Sequence, residues 1–75
     1  MNKLRRKQIA EAIELIERAK EILEEVRDEE QEAFDNMPES FQSSERGEAM
    51  EEYIYTLEEF LDALDIDELQ DIVDG

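Results

Sequence analysis

The sequence contains no cysteine, no histidine and no tryptophan, and it has only one proline and two glycines. Without cysteine, the chain can form neither a disulfide framework nor a zinc–thiolate site. Without histidine, it lacks the commonest general base and the commonest ligand of transition metals. We therefore expect a protein that is not an enzyme and that carries no cofactor and no metal.

Positive charge is also scarce, since 8 Lys and Arg residues face 24 Asp and Glu residues and the net charge is −16. Such a chain repels the phosphates of nucleic acids and of anionic membranes, so we expect no direct nucleic-acid binding and no membrane partner. No apolar run reaches the length of about 18 residues that a membrane-spanning helix needs. The first twenty residues also lack the pattern of a signal peptide, and we expect a cytoplasmic protein.

Hydrophobic residues make up 40% of the 75-residue chain and recur at helical spacing. Residues 3–36 are predicted to form one helix, whose apolar residues cover about half of its circumference. These residues are Leu4, Ile9, Ala12, Ile13, Leu15, Ile16, Ala19, Ile22, Leu23, Val26, Ala33 and Phe34. A face of this width predicts contact with more than one neighbouring helix.

The rest of the chain is predicted to form a connector over 37–44 and two further helices. Pro38 ends the first helix because the residue before a proline is disfavoured in helical conformation, and Pro38 can start a short helical turn of its own. Ser43 or Ser44 is predicted to cap a helix over 45–64. The helix over 45–64 has a compact apolar stripe, formed by Met50, Tyr53, Ile54, Leu57, Phe60, Leu61 and Leu64. A change in the direction of the stripe predicts a short third helix over 66–73, and residues 1–75 are expected to form a single helical domain.

The charges predict how these helices are arranged. Four cations, Lys3, Arg5, Arg6 and Lys7, lie at the start of the first helix, where the helix dipole disfavours them. The end of the chain is acidic, with Asp62, Asp65, Asp67, Glu68, Asp71 and Asp74. An antiparallel helical hairpin would bring the basic start against the acidic finish. The broad face of the first helix would then need a second copy, so we expect an all-α four-helix-bundle homodimer.

One candidate binding surface lies on the second long helix, where Tyr55 falls off the apolar stripe among acidic residues. The carboxylates that surround it in sequence include Glu51, Glu52, Glu58 and Glu59. An exposed tyrosine in an acidic field is typical of a protein interface, although single surface aromatics are also ordinary. A charge run is most often a solvated face, and mimicry of a phosphate backbone is the alternative.

The connector raises a second question, because the chain places two of its three phenylalanines in or beside it. Phe34, Met37 and Phe41 can fold over the open end of the hairpin as a lid, or they can form an exposed tip that enters a partner's pocket. We favour the lid, because an uncovered end would admit water into a small core.

Two further groups of residues have simpler explanations than ligand binding. The cations Lys3, Arg5, Arg6 and Lys7 can hold an anionic ligand at a helix start, but pairing with the acidic finish explains them more simply. Asp65, Asp67 and Asp71 resemble a calcium loop, but Gln70 stands where such a loop needs glycine.

The run EILEEVRDEEQEAFDNMPESFQSSERGEAMEE resembles small acidic proteins that bacteriophages and prophages encode. The resemblance covers most of the chain and weakens after Leu64, where DALDIDELQDIVDG departs from a plain helical continuation. It implies an accessory role in phage biology and assigns no functional residue. We therefore expect a non-enzymatic protein-binding module that modulates a host protein. The alternatives are a protein that sequesters a small anionic ligand or nucleotide, and a structural component of an assembly.

Overall fold

The computed structural model describes residues 1–75, which form four helices and no strand. The helices are α1 (Lys3–Asp35), α2 (Glu39–Gln42), α3 (Glu45–Ala63) and α4 (Asp67–Asp74). The all-α class predicted from the sequence is confirmed. The long helices end within a residue of the predicted bounds, and α2 is the short turn that follows Pro38.

Two side chains hold the first turns of the long helices. The Asn2 side-chain oxygen accepts a hydrogen bond from the backbone N–H of Arg5 at 2.8 Å, so Asn2 caps α1. The Ser44 hydroxyl accepts one from the backbone N–H of Gly47 at 3.3 Å, so Ser44 rather than Ser43 caps α3. Both caps satisfy backbone donors that have no partner inside their own helix.

The molecule is a thin rod that measures 58 × 15 × 13 Å between Cα extremes. The 33 residues of α1 account for about 50 Å of this length at about 1.5 Å per residue. Both α3 and α4 therefore lie beside α1, and both contact it. Two hydrogen bonds show the order of these contacts, because Gln42 at the end of α2 bonds to Phe34 near the end of α1, and Leu64 just after α3 bonds to Lys20 in the middle of α1.

The core of this rod is small. Its buried hydrophobic side chains are Ile13 on α1 and Met50, Ile54 and Leu61 on α3, and no large side chain is fully enclosed. The radius of gyration is 17.6 Å, well above the roughly 11 Å expected for a compact chain of this length. A single layer of two helices thus leaves much of each helix uncovered.

A glutamine closes the end of the rod near the connector. The Gln42 side-chain amide donates hydrogen bonds to the backbone carbonyls of Phe34 and Met37, each at 3.1 Å. Phe34 and Met37 are half-buried beneath it, whereas Phe41 is 58% exposed. The lid interpretation is therefore wrong for Phe41, and hydrogen bonds from the Gln42 side chain secure this end of the rod instead of the aromatic ring.

Gly47 permits the tight junction between α2 and α3. It is buried in the first turn of α3, and a Cβ atom at this position would lie 2.6 Å from the carbonyl oxygen of Phe41 and closer still to that of Gln42. Backbone atoms cannot move aside as the end of a flexible side chain can. From the sequence, a glycine at this position would be expected only to weaken the helix locally.

The basic start of α1 and the acidic finish of the chain do not form ion pairs. The two ion pairs in the chain, Arg18–Glu21 at 3.2 Å and Arg27–Asp28 at 3.1 Å, both lie within α1. α4 does pack against α1, so the acidic finish lies along the same helix that carries the basic start. Direct pairing between exposed side chains gains little after the loss of their hydration and rotational freedom, and these charges remain solvated.

A cation from the middle of α1 serves the C-terminus of α3 instead. The Lys20 ammonium donates a hydrogen bond to the carbonyl oxygen of Leu64 at 3.4 Å. The last turn of α3 has no basic residue of its own. A positive charge beside the final carbonyls of a helix is favourable, and α1 supplies it across the contact between the helices.

We predict that Gly47→Ala lowers the free energy of unfolding by about 1–3 kcal/mol, the usual cost of forcing an extra carbon into a tight site. Alanine is the better helix former by about 1 kcal/mol, so propensity alone predicts the opposite sign. Urea unfolding followed by circular dichroism would measure the change. The exposed neighbour Glu48→Ala should stay within about 0.5 kcal/mol. Equal or greater stability of Gly47→Ala would contradict the close approach.

Candidate functional site

The candidate protein-binding surface is the acidic face of α3, which we define as the side turned away from Ile54 and Leu61. Residues on a helix advance by about 100° each, so the spacing of this set places its members within about one third of the circumference. All of them are exposed: Glu48, Glu51, Glu52, Tyr55, Glu58, Glu59 and Asp62. The structure thus brings Tyr55 and the four predicted glutamates together on one surface.

Tyr55 lies at the centre of the acidic face and is 60% exposed. Its hydroxyl donates a hydrogen bond to the Glu59 carboxylate at 2.9 Å, one helical turn farther along. None of the carboxylates on this face is in an ion pair, because both ion pairs of the chain lie within α1. The face therefore combines concentrated negative charge with one aromatic ring whose hydroxyl is held in place.

Glu51 joins the acidic face to the connector. It lines a shallow, open depression whose other lining residues belong to α2 and the residue after it, namely Glu39, Ser40, Gln42 and Ser43. No hydrophobic residue lines this depression. Of the two connector residues predicted to bind a partner, Phe41 is exposed on α2, whereas Met37 is half-buried under the end of the rod.

The basic start of α1 forms a second, separate candidate site. Lys3, Arg5 and Lys7 are exposed, and Arg6 is half-buried. The Arg6 Nε atom is enclosed and has no hydrogen-bond partner. None of the four side chains lies within 4.0 Å of a carboxylate. These cations are thus available to an anion, and they lie on a different helix from the acidic face.

The arrangement offers surfaces rather than an enclosed cavity. The only pocket in the chain is the open depression beside Glu51, and no group of three or more acidic side chains is placed to hold a metal ion. The acidic face is suited to an extended contact with another molecule, for which breadth and charge matter more than depth.

No helix of the chain combines the length and the apolar character that crossing a membrane would require.

The structure leaves one surface apolar and uncovered, where the sequence indicated only that the apolar face of the first helix is broad. Leu15 of α1 is 72% exposed and Phe60 of α3 is 55% exposed, and neither packs into the core. Tyr53 and Phe60 were expected to belong to the packed stripe of the second long helix, but both lie on its flank. The breadth of the apolar face of α1 indicated such a surface, because one neighbouring helix is too narrow to cover that face.

The acidic face is predicted to contribute little to stability, unlike the residues beside it. Ile54→Ala should lower the free energy of unfolding by about 2–5 kcal/mol, because Ile54 is 6% exposed and its removal leaves a cavity. The adjacent Tyr55→Phe removes only an exposed hydrogen bond and should change stability by less than about 0.5 kcal/mol. Thermal or urea unfolding would compare the two variants. A large loss in Tyr55→Phe would contradict the assignment of this face to binding rather than folding.

A scan of protein-family models returns no match to this chain, and searches of curated proteins and of solved structures return none either.

Proposed function

We propose that this chain is a non-enzymatic protein-binding module. Its role would be that of a phage or prophage accessory protein that modulates a host protein in the bacterial cytoplasm. The observation that carries the proposal is Tyr55, exposed at the centre of an acidic face whose carboxylates have no cationic partner within the chain. The likeness of residues 21–52 to small acidic phage proteins supports the biological setting.

The partner expected from this chemistry is a protein with a basic surface. Unpaired carboxylates attract such a surface over a distance and raise the rate of encounter. An aromatic ring supplies contact area at a low cost in conformational entropy, which suits Tyr55 as the anchor at the centre of the contact. The exposed ring of Phe41, on the helix that adjoins Glu51, would extend the contact beyond the acidic face.

We also propose that the module works as a homodimer of antiparallel helical hairpins that together form a four-helix bundle. A chain of this size rarely stabilises itself through one small core, and association is a common remedy. Support comes from the few buried side chains of the single chain and from the large apolar side chains that remain exposed on α1 and α3.

The first test is capture of a partner from bacterial lysate on the immobilised chain. The double variant Glu51→Gln/Glu58→Gln should lose most of the capture seen with the unaltered chain, because it removes two unpaired charges from the acidic face. Tyr55→Ala should lose it too, since a central interface anchor typically contributes about 2 kcal/mol or more, a factor of about thirty in affinity.

The matched control is Glu14→Gln/Glu25→Gln, which removes the same charge from exposed positions on α1. It should capture the partner as well as the unaltered chain does. Equal losses in the two double variants would indicate a nonspecific effect of net charge. Full capture by Tyr55→Ala would rule out the acidic face as the binding surface.

The homodimer is predicted to strengthen as salt is added. Two copies that each carry a net charge of −16 repel one another, and salt screens that repulsion over a distance of about 10 Å at 0.1 M. Sedimentation equilibrium at low and at high salt would measure the dimer dissociation constant, which should fall. A monomer that is unchanged over the whole salt range would remove this part of the proposal.

Binding of a small anion or nucleotide is a second candidate function, which the unpartnered Arg6 favours. If a phosphate group completes that site, inorganic phosphate or ATP should raise the melting temperature of the unaltered chain and not that of Arg6→Gln. The same concentration of sodium chloride serves as the control for ionic strength. No stabilisation by either anion beyond that of the chloride control would exclude this function.

A further inference from the structure

The uncovered apolar surface on α1 has a definite shape, which we call the apolar strip. Its large members are Leu4, Leu15, Ile22 and Val26, and its small members are Ala12, Ala19 and Ala33, all of them exposed. At about 100° per residue, these positions occupy roughly a quarter of the circumference of α1. The half-buried row that faces α3, which includes Ile16 and Leu23, lies beside the strip.

The exposed aromatics of α3 lie on the same side of the rod as the apolar strip. The chain runs back along α1, because Gln42, which precedes α3, bonds to Phe34 near the end of α1, and Leu64, which follows α3, bonds to Lys20 in the middle of α1. In two antiparallel helices, residues that are rotated from the line of contact in the same sense around their own helix lie on the same side of the pair. Tyr53 and Phe60 are displaced in this sense on α3, as the strip is on α1, so both lie on the same side of the rod.

The apolar strip is nearly symmetric about its centre. Ala12 and Val26 each lie seven residues from Ala19, and Leu15 and Ile22 lie four residues before it and three after it. Leu4 and Ala33 lie fifteen before and fourteen after. A two-fold interface uses the same patch on both copies, so a strip whose positions are spaced alike in both directions fits an antiparallel copy of itself, with Ala12 opposite Val26 and Leu4 opposite Ala33. The small side chain at its centre lets the two helices approach closely.

The charges of α1 favour the same orientation. The first turns carry Lys3, Arg5 and Lys7, whereas the last turns carry acidic residues, including Glu29, Glu32 and Asp35. An antiparallel pair of α1 helices places the basic start of each copy over the acidic end of the other. A two-fold axis along the rod would instead place like charges at the same end, which is unfavourable.

From this symmetry and this charge pattern, we propose that a second copy of the chain docks on the apolar strip with α1 antiparallel to α1 and the two-fold axis at Ala19. The inference rests on the proposed homodimer and specifies its interface. A surface that must be covered for stability needs a partner that is present whenever the chain is made. A second copy of the chain meets this requirement.

This docking leaves the proposed binding function unobstructed. The acidic face around Tyr55 lies roughly 150° around α3 from the flank that carries Tyr53 and Phe60, at about 100° per residue. Each dimer would therefore present two acidic faces, both directed away from the interface. A partner with two basic sites would bind such a dimer more tightly than a single chain, through a raised effective concentration.

Single-cysteine variants test the interface cleanly, because the chain has no cysteine of its own. Ala19→Cys, treated with a short bifunctional maleimide, should form cross-linked dimers at least about tenfold faster than the control Tyr55→Cys. The reason is that two thiols beside the axis meet at an effective concentration near the millimolar range, whereas the control thiols meet only by collision. Ala19 and Tyr55 are both exposed, so neither substitution disturbs the core.

A second pair of variants tests the orientation. Leu4→Cys and Ala33→Cys, unfolded together and refolded as a mixture, should cross-link to each other, and each alone should remain at the rate of the Tyr55→Cys control. Self-cross-linking of Leu4→Cys faster than its reaction with Ala33→Cys would overturn the antiparallel arrangement. If Ala19→Cys cross-links slowly although sedimentation shows a chain of doubled mass, the interface lies elsewhere. Loss of partner capture in the Tyr55→Ala variant would still support the acidic face, so the two proposals fail separately.

Discussion

The limited area that two paired helices can bury is the constraint on which the rest of this structure depends. α1 presents apolar residues over about half of its surface, but α3 and α4 cover only the side that carries Ile13. The remainder of the apolar surface faces water in the single chain. The hydrophobic effect is roughly proportional to the apolar area removed from water. Covering a strip of this length would therefore stabilise the folded chain considerably. The proposed association of two copies is motivated by that constraint more than by any single contact.

The local features of the fold stabilise the packing of the helices against one another. Gly47 lets α2 approach the first turn of α3, and Gln42 donates hydrogen bonds to the carbonyls of Phe34, near the end of α1, and Met37, just after it. Lys20 reaches across to the C-terminus of α3, where the chain offers no basic residue. Each of these groups bonds to backbone atoms or makes room for them. The side chains of the acidic face are therefore not needed to hold the helices together. α3 itself therefore divides into a side that packs in the core and an exposed acidic side.

Most of the helices could be predicted from the sequence, because apolar spacing, Pro38 and Ser44 are local signals. The all-α class and the approximate bounds of the long helices required no knowledge of tertiary contacts. The exposure of Phe41 and the role of Gly47 could not be predicted, since both depend on how closely α2 approaches α3. Ion pairing between the basic start and the acidic finish was expected from charge alone, and hydration of exposed charges prevents it. For the candidate site, the pattern placed Tyr55 and its glutamates on one face, but it could not show which apolar residues of α1 remain uncovered.

The dependence of stability on protein concentration tests the central claim most directly. If a second copy covers the apolar strip, the urea midpoint of unfolding must rise with chain concentration, because dissociation accompanies unfolding. The account predicts a clear increase in the midpoint between samples that differ about a hundredfold in concentration, a change worth about 2.7 kcal/mol by mass action. The Leu15→Glu variant, altered within the exposed strip, should lose that dependence. A midpoint that is the same at every concentration in the unaltered chain would contradict the account.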